Sequence, residues 1–178
     1  KRDSGGRAFD LKKCNSLEDI NKAIKKIKES TDYRGKIILQ RFIKPLDDKD
    51  YRVWVMGGKV IFYHRRSLIS LEKGEDPWLA SRSLGSKIIS TNKPIPKELE
   101  DLALKAANAV KAELDVLDII ETEEGYMIIE NNLTRNLRPE YEKVLKVNIM
   151  DIMCKEVFSR KLLEYLPQNQ PHLIIGNE

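Results

Sequence analysis

The sequence has 178 residues, which is enough for one domain with a sizeable core or for two small domains. Hydrophobic residues make up 41% and charged residues 34%, with a mean hydropathy of -0.47, so the composition is that of a folded chain rather than a disordered or membrane one. The 32 basic and 28 acidic residues are interspersed, which argues against nucleic acid as a partner. No apolar run is long enough to span a membrane.

The two cysteines, Cys14 and Cys154, are far apart and belong to no metal-binding or redox motif. We therefore expect reduced thiols in a cytoplasmic protein. The chain opens with Lys1 rather than Met and has no apolar signal segment, which predicts a fragment or a processed chain.

The first half of the chain predicts one helix and three strands. Apolar residues at helical spacing predict a helix over residues 17–27, with Ser16 as its N-cap and Asp19 as the third helical residue, which completes a capping box. The β-branched run at residues 36–43 predicts a buried strand that ends at Pro45. Residues 51–56 and 59–64 predict a hairpin, because the Gly57-Gly58 pair supplies the positive φ angles of a tight turn.

The second half predicts a loop, a helix, a second hairpin and a last helix. Residues 67–92 are polar and irregular, and Pro94 and Pro96 then lead into a helix running to about residue 114, with an apolar face of Leu99, Leu102, Ala103, Ala106 and Val110. Strands 116–122 and 126–131 are joined through Glu123-Glu124-Gly125, and a helix over about 148–165 precedes a tail at 167–178. Helices interleaved with antiparallel hairpins predict an α+β protein.

The second hairpin sets two carboxylates side by side. With a three-residue turn, Asp118 lies opposite Glu130 and Ile120 opposite Ile128, and like charges in that position destabilise a sheet unless a cation is present. Asn132 follows Glu130 at the strand period, which gives a set of hard oxygen ligands suited to Mg²⁺. The alternative is a solvent-facing acidic edge, since the neighbouring acidic residues include Glu121, Glu123 and Glu124.

The first hairpin contributes the arginines Arg52, Arg65 and Arg66. An Arg in an otherwise apolar strand must reach solvent or an anion, and its planar fork suits carboxylate or phosphate. Asp50, two residues before Arg52 on the same face, is one candidate partner for it. His64 has no nearby nucleophile, so we expect a half-exposed, non-catalytic histidine.

A short Gly-rich segment near the start, Ser4-Gly5-Gly6-Arg7, has backbone amides that can cradle phosphate oxygens, although it is not a Walker A motif. This segment is followed along the chain by further motifs, so that the order is Lys1 with Ser4-Gly5-Gly6-Arg7, Gln40-Arg41-Phe42-Ile43, Asp50-Tyr51-Arg52, Gly57-Gly58-Lys59-Val60, residues 78–86, residues 99–114, Asp118, and Glu130-Asn131-Asn132. In this order the motifs resemble those of the ATP-grasp superfamily, specifically its RimK/LysX-like carboxylate-amine ligase branch.

The resemblance covers nearly the whole chain and implies an ATP-grasp fold that lacks its N-terminal pre-ATP-grasp domain. Residues 1–43 would complete the lid subdomain with the nucleotide hinge, residues 44–166 would form the C-terminal catalytic subdomain, and 167–178 would be a tail. The missing domain is then an implied partner, and the fragment alone is expected to bind ATP weakly or not at all if an upstream basic residue also contacts phosphate.

The implied activity is ATP- and Mg²⁺-dependent ligation of a carboxylate to an amine through an acylphosphate, with Mn²⁺ as an alternative metal. The family would bind the nucleotide through residues matching Lys1, Ser4, Gly5, Gly6, Arg7, Gln40, Arg41, Phe42, Ile43 and Asp50. It would bind the metal through residues matching Asp118, Glu130 and Asn132. The catalytic candidates are Arg66, or Arg65 beside it, facing the transferring phosphoryl group, and Arg52.

Departures from the family pattern leave the substrates open. Arg41 replaces a common acidic hinge residue, Ala8 replaces Gly, Ser81 stands where Asn is frequent, and Thr134-Arg135 replaces Pro-Gly. The carboxylate and amine are therefore expected to be small molecules or peptides of unspecified identity, and a homo-oligomer stays open. A nucleotide-binding regulatory module without turnover is the alternative. A covalent nucleotidyltransferase is disfavoured, because the inserted Ser4 interrupts the similarity of residues 1–5 to a Lys-x-Asp-Gly motif.

Overall fold

The computed structural model describes residues 1–2, 11–30, 33, 35–89, 93–133, 143, 146 and 148–165. The Gly-rich segment at 4–7, Thr134-Arg135 and the tail at 167–178 lie outside the described residues. The elements in chain order are α1 (Leu17–Lys28), β1 (Lys49–Met56), β2 (Lys59–Ser67), a 3-10 turn (Arg82–Leu84), β3 (Ile88–Ile89), α2 (Lys97–Ala109), β4 (Leu114–Thr122), β5 (Gly125–Asn132) and α3, which consists of Ile149–Met153, the π-helical segment Cys154–Phe158 and Ser159–Tyr165.

The strands form one antiparallel sheet in the order β3-β2-β1-β4-β5. The two predicted hairpins therefore lie side by side, joined by pairing between β1 and β4. This arrangement confirms the predicted α+β class. It also aligns Arg52 between His64 of β2 and Asp118 of β4.

The first hairpin turns at Gly57 and Gly58, whose φ angles of +58° and +77° are those expected for this glycine pair. Met56 pairs with Lys59 next to the turn, but a β-bulge between Trp54 and Val55 shifts the register, so that Trp54 pairs with Phe62. The bulge moves every later residue of β2 by one position relative to β1.

The second hairpin has a two-residue turn, Glu123-Glu124, in which Thr122 pairs with Gly125. The predicted pairing of Ile120 with Ile128 is wrong, because the shorter turn places Ile128 opposite Ile119. A β-bulge between Asp118 and Ile119 then adds one residue, and Asp118 lies opposite Glu130 as predicted.

The two faces of the sheet bury different clusters. The α2 face packs apolar residues of β1 and β4 against α2, and its buried members are Tyr51, Val53, Val55, Leu117, Ile119, Leu99, Ala103 and Ala107. The α3 face packs another set against α3, namely Trp54, Met56, Val116, Ile149 and Val157. Each large apolar side chain buried in this way stabilises the fold by about 1.5–3 kcal/mol.

The helix ends follow their capping residues. Ser16 Oγ accepts a hydrogen bond from the Asp19 amide at 3.1 Å, which confirms the predicted start of α1. Asn148 caps α3 in the same way, accepting from the Asp151 amide at 2.9 Å. α2 ends earlier than predicted, because Lys111 takes a left-handed conformation with φ of +52° and leaves Val110 46% exposed.

The predicted buried strand at residues 36–43 is wrong. Within the described residues this segment forms only a β-bridge between Ile37 and Arg2, and Leu39 and Phe42 are 67% and 44% exposed. A β-branched run becomes a strand only where partner strands satisfy its backbone, and no neighbour of this kind lies in the described part of the chain. None of the described helices has the length and apolar character needed to cross a membrane.

Candidate functional site

Four charged residues lie buried together on the α3 face, beside the apolar cluster. Asp50 and Arg52 come from β1, Arg66 from β2 and Asp118 from β4, with exposed fractions of 4%, 2%, 2% and 7%. They share a face because Asp50 pairs with Arg66 across β1 and β2, and Arg52 pairs with Asp118 across β1 and β4. We call these four residues the charged cluster.

The charged cluster is a chain of ion pairs. Arg52 binds Asp118 in a bidentate manner, with Nε 2.7 Å from Oδ1 and Nη2 2.6 Å from Oδ2. Arg66 donates from Nε to Asp50 Oδ1 at 3.0 Å and from Nη2 to Asp50 Oδ2, and its Nη2 is also 3.1 Å from Asp118 Oδ2. Arg66 is therefore bonded to Asp50, while Arg52 is bonded to Asp118.

The guanidinium of Arg66 is held in its charged form. Burial alone would lower the pKa of Arg66, but the adjacent carboxylates of Asp118 and Asp50 outweigh burial and raise that pKa above its usual value. Two cations facing two anions allow the cluster to be buried, since a lone buried charge would be strongly destabilising. The conflict predicted for Asp118 is thus resolved from within the chain by two arginines.

His64 extends the row that contains Asp118 and Arg52. It pairs with Arg52 across β1 and β2 and is fully buried, so the expectation of a half-exposed histidine is wrong. The β2 strand runs to Ser67 instead of ending at His64, which places this residue inside the sheet rather than at its edge.

The three oxygen ligands proposed from the sequence occupy neighbouring positions on β4 and β5. Glu130 lies opposite Asp118 and is exposed, and Asn132 lies opposite Val116, to whose carbonyl its Nδ2 donates at 3.2 Å. The described residues contain no group of three His, Cys, Asp or Glu placed to hold a metal ion. Two carboxylates and an amide nonetheless fit the donor chemistry of Mg²⁺, and Glu130 is the carboxylate that solvent reaches.

Arg65 lies on the opposite side of the sheet from the charged cluster. It pairs with Tyr51, and its guanidinium carbon lies 4.6 Å from the centre of the Tyr51 ring on the α2 face. Its Nη2 donates to both oxygens of Asp47 at 2.8 and 2.6 Å. Of the three arginines considered from the sequence, the structure brings Arg52 and Arg66 to Asp118 and does not bring Arg65.

The hinge segment, residues 40–43, is open to solvent. Lys1 and Ile38 exchange backbone hydrogen bonds of 3.0 and 2.8 Å just before the hinge, which places Lys1 near it. Gln40, Arg41 and Phe42 are exposed, and Ile43 is half-buried. The hinge backbone is therefore accessible to a ligand.

A cavity of about 370 Å³ adjoins the hinge, between the loop that follows it and residues 76–78. The Phe42 ring meets the Trp78 ring edge-on at a centroid distance of 6.2 Å, and Lys13 Nζ lies 4.5 Å from the Phe42 centroid. A second cavity, of about 580 Å³, lies beside Gly57, Gly58 and the last turn of α2, at the other end of the sheet from the charged cluster.

Sequence reasoning missed the contacts that hold the loop after the hinge. The Leu46 amide donates to the Glu121 carbonyl at 2.7 Å, and the Tyr51 hydroxyl donates to Glu121 Oε2 at 2.8 Å. Burial and this bond to Glu121 raise the pKa of Tyr51 above its usual value. In the sequence, Asp47 and Asp48 are typical of a surface loop. Only the tertiary pairing identifies Asp47 as a partner of Arg65.

Comparison with known proteins places the chain in a family. A model of the RimK-like ATP-grasp domain matches residues 12–157. The tetrahydromethanopterin:alpha-L-glutamate ligase of Methanocaldococcus jannaschii is 29% identical over 143 residues, covering 78% of this chain and 45% of that protein. The coenzyme gamma-F420-2:alpha-L-glutamate ligase of the same organism is 31% identical over 112 residues, covering 61% of this chain and 35% of that protein.

Among solved structures, the ATP-grasp ligase PsnB in complex with a precursor, Mg and ADP aligns at a TM-score of 0.47 and 22% identity, covering 65% of this chain and 33% of that one. The macrocyclase MdnB from Microcystis aeruginosa aligns at 0.43 and 15% identity, covering 83% and 47%. The chain spans less than half the length of the curated relatives it matches. Since the family model covers most of the 178 residues, the chain belongs to the RimK-like ATP-grasp family.

Proposed function

We propose that this chain carries the catalytic part of an ATP- and Mg²⁺-dependent carboxylate-amine ligase, which forms an amide or peptide-like bond through an acylphosphate. The observation that supports this best is the charged cluster, in which the buried guanidiniums of Arg52 and Arg66 lie beside carboxylates of β1 and β4. Such a combination of cations and carboxylates suits phosphoryl transfer. Membership of the RimK-like ATP-grasp family and the ligase names of two relatives support the same reaction class.

The proposed reaction has two steps. An oxygen of the substrate carboxylate attacks the terminal phosphorus of ATP, and ADP leaves with the electrons of the broken P–O bond. The amine nitrogen then attacks the acyl carbon, phosphate leaves, and the nitrogen loses a proton to the surrounding water. Neither step needs a protein nucleophile, so positioning and charge neutralisation supply most of the rate.

The residues of this chain divide that work. Arg66 and Arg52 neutralise negative charge that develops on the transferring group, and Asp50 keeps the Arg66 guanidinium in place. Lys1 and the amides of residues 4–7 hold the ATP phosphates, while Gln40 and the backbone at Arg41 and Ile43 bind adenine beside Phe42.

Asp118, Glu130 and Asn132 would hold Mg²⁺, or Mn²⁺ in its place, which supplies charge neutralisation at the terminal phosphates. Glu130 supports this assignment by its position opposite Asp118 and its exposure to solvent. Asp50 acts on the nucleotide side through Arg66, to which both of its oxygens are hydrogen-bonded.

The direct test measures ADP and phosphate release by the intact protein with a panel of amino acids and dicarboxylates. L-Glutamate comes first in the panel because both curated relatives are named as glutamate ligases. We expect a metal-dependent signal that Glu130→Gln reduces at least about 100-fold. Glu123→Gln, in the exposed turn of the same hairpin, is the matched control and should retain activity.

A nucleotide-binding module without turnover is the second candidate. It is favoured by one observation, that both oxygens of Asp118 are already held by Arg52 and Arg66. Calorimetry separates the two candidates: ATP binding in the presence of Mg²⁺ without ADP release for any member of the panel would support the module and contradict the ligase.

A further inference from the structure

We propose that Arg65 is a positioning residue that fixes the nucleotide hinge from the α2 face of the sheet, while its neighbour Arg66 serves the charged cluster on the α3 face. The inference rests on the proposed function in one respect, that residues 40–43 bind the nucleotide. It assigns to Arg65 a role in holding that segment and no contact with the reacting atoms.

The sheet itself separates Arg65 from the charged cluster. Adjacent residues of a strand project to opposite faces, and Arg66 projects toward Asp50 and Asp118. Arg65 instead stacks on Tyr51, a buried member of the cluster that packs against α2. Reaching Asp118 would require the Arg65 side chain to cross the sheet.

Arg65 holds the loop that directly follows the hinge. Its Nη2 donates to both oxygens of Asp47, at 2.8 and 2.6 Å, and charge-assisted bonds of this length are stronger than neutral ones. Asp47 Oδ1 also accepts from the Lys49 amide at 3.0 Å, which closes a local turn at the start of β1. The loop is thus fixed relative to both β1 and β2.

Neighbouring contacts extend this attachment to a third strand. Tyr51, whose ring lies beneath Arg65, donates a hydrogen bond from its hydroxyl to Glu121 Oε2 of β4 at 2.8 Å. The Leu46 amide of the loop donates to the Glu121 carbonyl at 2.7 Å. The Leu68 amide donates to the Asp48 carbonyl at 2.7 Å. Arg65 lies at the centre of these contacts, since it touches both the loop and the ring.

The attachment matters because the hinge itself is exposed. Gln40, Arg41 and Phe42 are open to solvent, and the loop at residues 46–48 is the described part of the chain that ties their C-terminal side to the sheet. Backbone groups recognise a base only when their positions are fixed, and a small displacement lowers affinity. Loss of Arg65 should therefore weaken ATP binding without changing the charges that face the phosphates.

The test compares Arg65→Ala, Arg65→Lys, Asp47→Asn and the double variant Arg65→Ala/Asp47→Asn in the intact protein. We expect Arg65→Ala to raise the KM and the Kd for ATP about 5–10-fold with kcat within about 2-fold, and Arg65→Lys to restore part of the affinity. The double variant should be no weaker than the single ones, because both remove the same contact. A fall in kcat at unchanged KM, or additive effects of the two substitutions, would overturn the proposal.

Arg160→Ala is the matched control, since Arg160 also pairs with an acidic residue, Glu113, but at 43% exposure and far from the hinge in sequence. Hydrogen exchange of the Leu46 amide, measured against that of Val53 in the same sample, supplies a readout that needs no nucleotide. We expect the Leu46 amide to exchange faster in Arg65→Ala than in the wild type, and to exchange at the wild-type rate in Arg160→Ala.

The two readouts keep the two proposals apart. If the wild-type protein does not bind ATP but Leu46 exchanges faster in Arg65→Ala, the proposed function fails and the anchoring role of Arg65 is supported. If ATP binds and neither the affinity nor the exchange responds to Arg65→Ala, the anchoring role is wrong and the proposed function is unaffected.

Discussion

The α3 face of the sheet has two halves that are buried by different means. One half contains Trp54, Met56 and Val116, which α3 covers through Ile149 and Val157. The other half contains the charged cluster, in which every cation faces a carboxylate at hydrogen-bond distance. The same strands supply both halves, so position along β1 and β4 decides between apolar packing and ion pairing.

The two halves should therefore lose stability in different ways when a side chain is removed. An apolar side chain can be shortened at a cost set by the surface and cavity that it leaves. A paired charge cannot be removed alone, because its partner stays buried without compensation. Substitutions in the charged half should therefore cost more free energy of unfolding than comparable ones in the apolar half.

Asp118→Ala should lower the free energy of unfolding by about 3–5 kcal/mol, because it leaves Arg52 and Arg66 facing each other without their shared anion. Val116→Ala, on the same strand and face but in the apolar half, should cost only about 1–2 kcal/mol. Urea denaturation measures both values. Equal losses would show that the charged half is not held by the Asp118 pairs.

Gly57→Ala should lower the free energy of unfolding by about 2–3 kcal/mol, because it disturbs the packing of α3 over the apolar half. Its φ is +58°, and a Cβ there would clash with the carbonyl oxygen of Glu156 in α3. Gly58→Ala is the control, with φ of +77° and open space around the added carbon, and should cost about 1–2 kcal/mol. A larger loss at Gly58 would mean that α3 does not pack closely on the turn.

Arg52→Lys should lower the free energy of unfolding by about 1–2 kcal/mol, since the charge stays but the bidentate pair with Asp118 becomes a single contact. The same substitution at exposed Arg160 should change stability by less than about 0.5 kcal/mol. Thermal denaturation of both variants checks the difference, and indistinguishable melting temperatures would contradict a requirement for the planar fork.

Asp115 on the α2 face provides the smallest effect, with the opposite sign. It is fully buried and bonded to Asn131 Nδ2 at 2.9 Å, and burial raises its pKa above the ordinary 3.8. The folded state then binds the proton more tightly than the unfolded state, so stability is highest below the unfolded pKa and falls as pH rises through the folded pKa.

Asp115→Asn removes that titration. We expect the variant to be at least as stable as the wild type at neutral pH and the difference to vanish below about pH 4. Free energies of unfolding measured across this pH range give the sign directly. A wild type that gains stability relative to the variant as pH rises would contradict the assignment.

Local signals predicted the elements that local chemistry controls. The Gly57-Gly58 turn, the Ser16 cap and the Asn148–Tyr165 helix needed no tertiary information, because each depends on residues within one turn of the chain. The segment at residues 36–43 failed for the converse reason, since strand formation depends on a partner that no local pattern reveals.

The candidate site was predictable in composition and only partly in contacts. Strand periodicity placed Asp118 opposite Glu130. The predicted turn was one residue too long and the bulge was not predicted, and these two errors cancel at that pair. The partner of Arg52 could not be assigned from spacing, because it comes from β4, a strand distant in sequence. The choice between Arg65 and Arg66 as the partner of Asp50 was open for another reason, because the bulge that shifts the register of the first hairpin has no clear sequence signal.

The bulge between Trp54 and Val55 decides which of the two adjacent arginines of β2 shares a face with Asp50. If the hairpin were regular from its glycine turn onward, Asp50 would pair with Arg65 instead of Arg66. The extra residue in β2 shifts the register between β1 and β2 by one residue. A redesign that removed the bulge would place Arg65 on the face of Asp50 and Arg66 on the face of Tyr51, without altering either side chain.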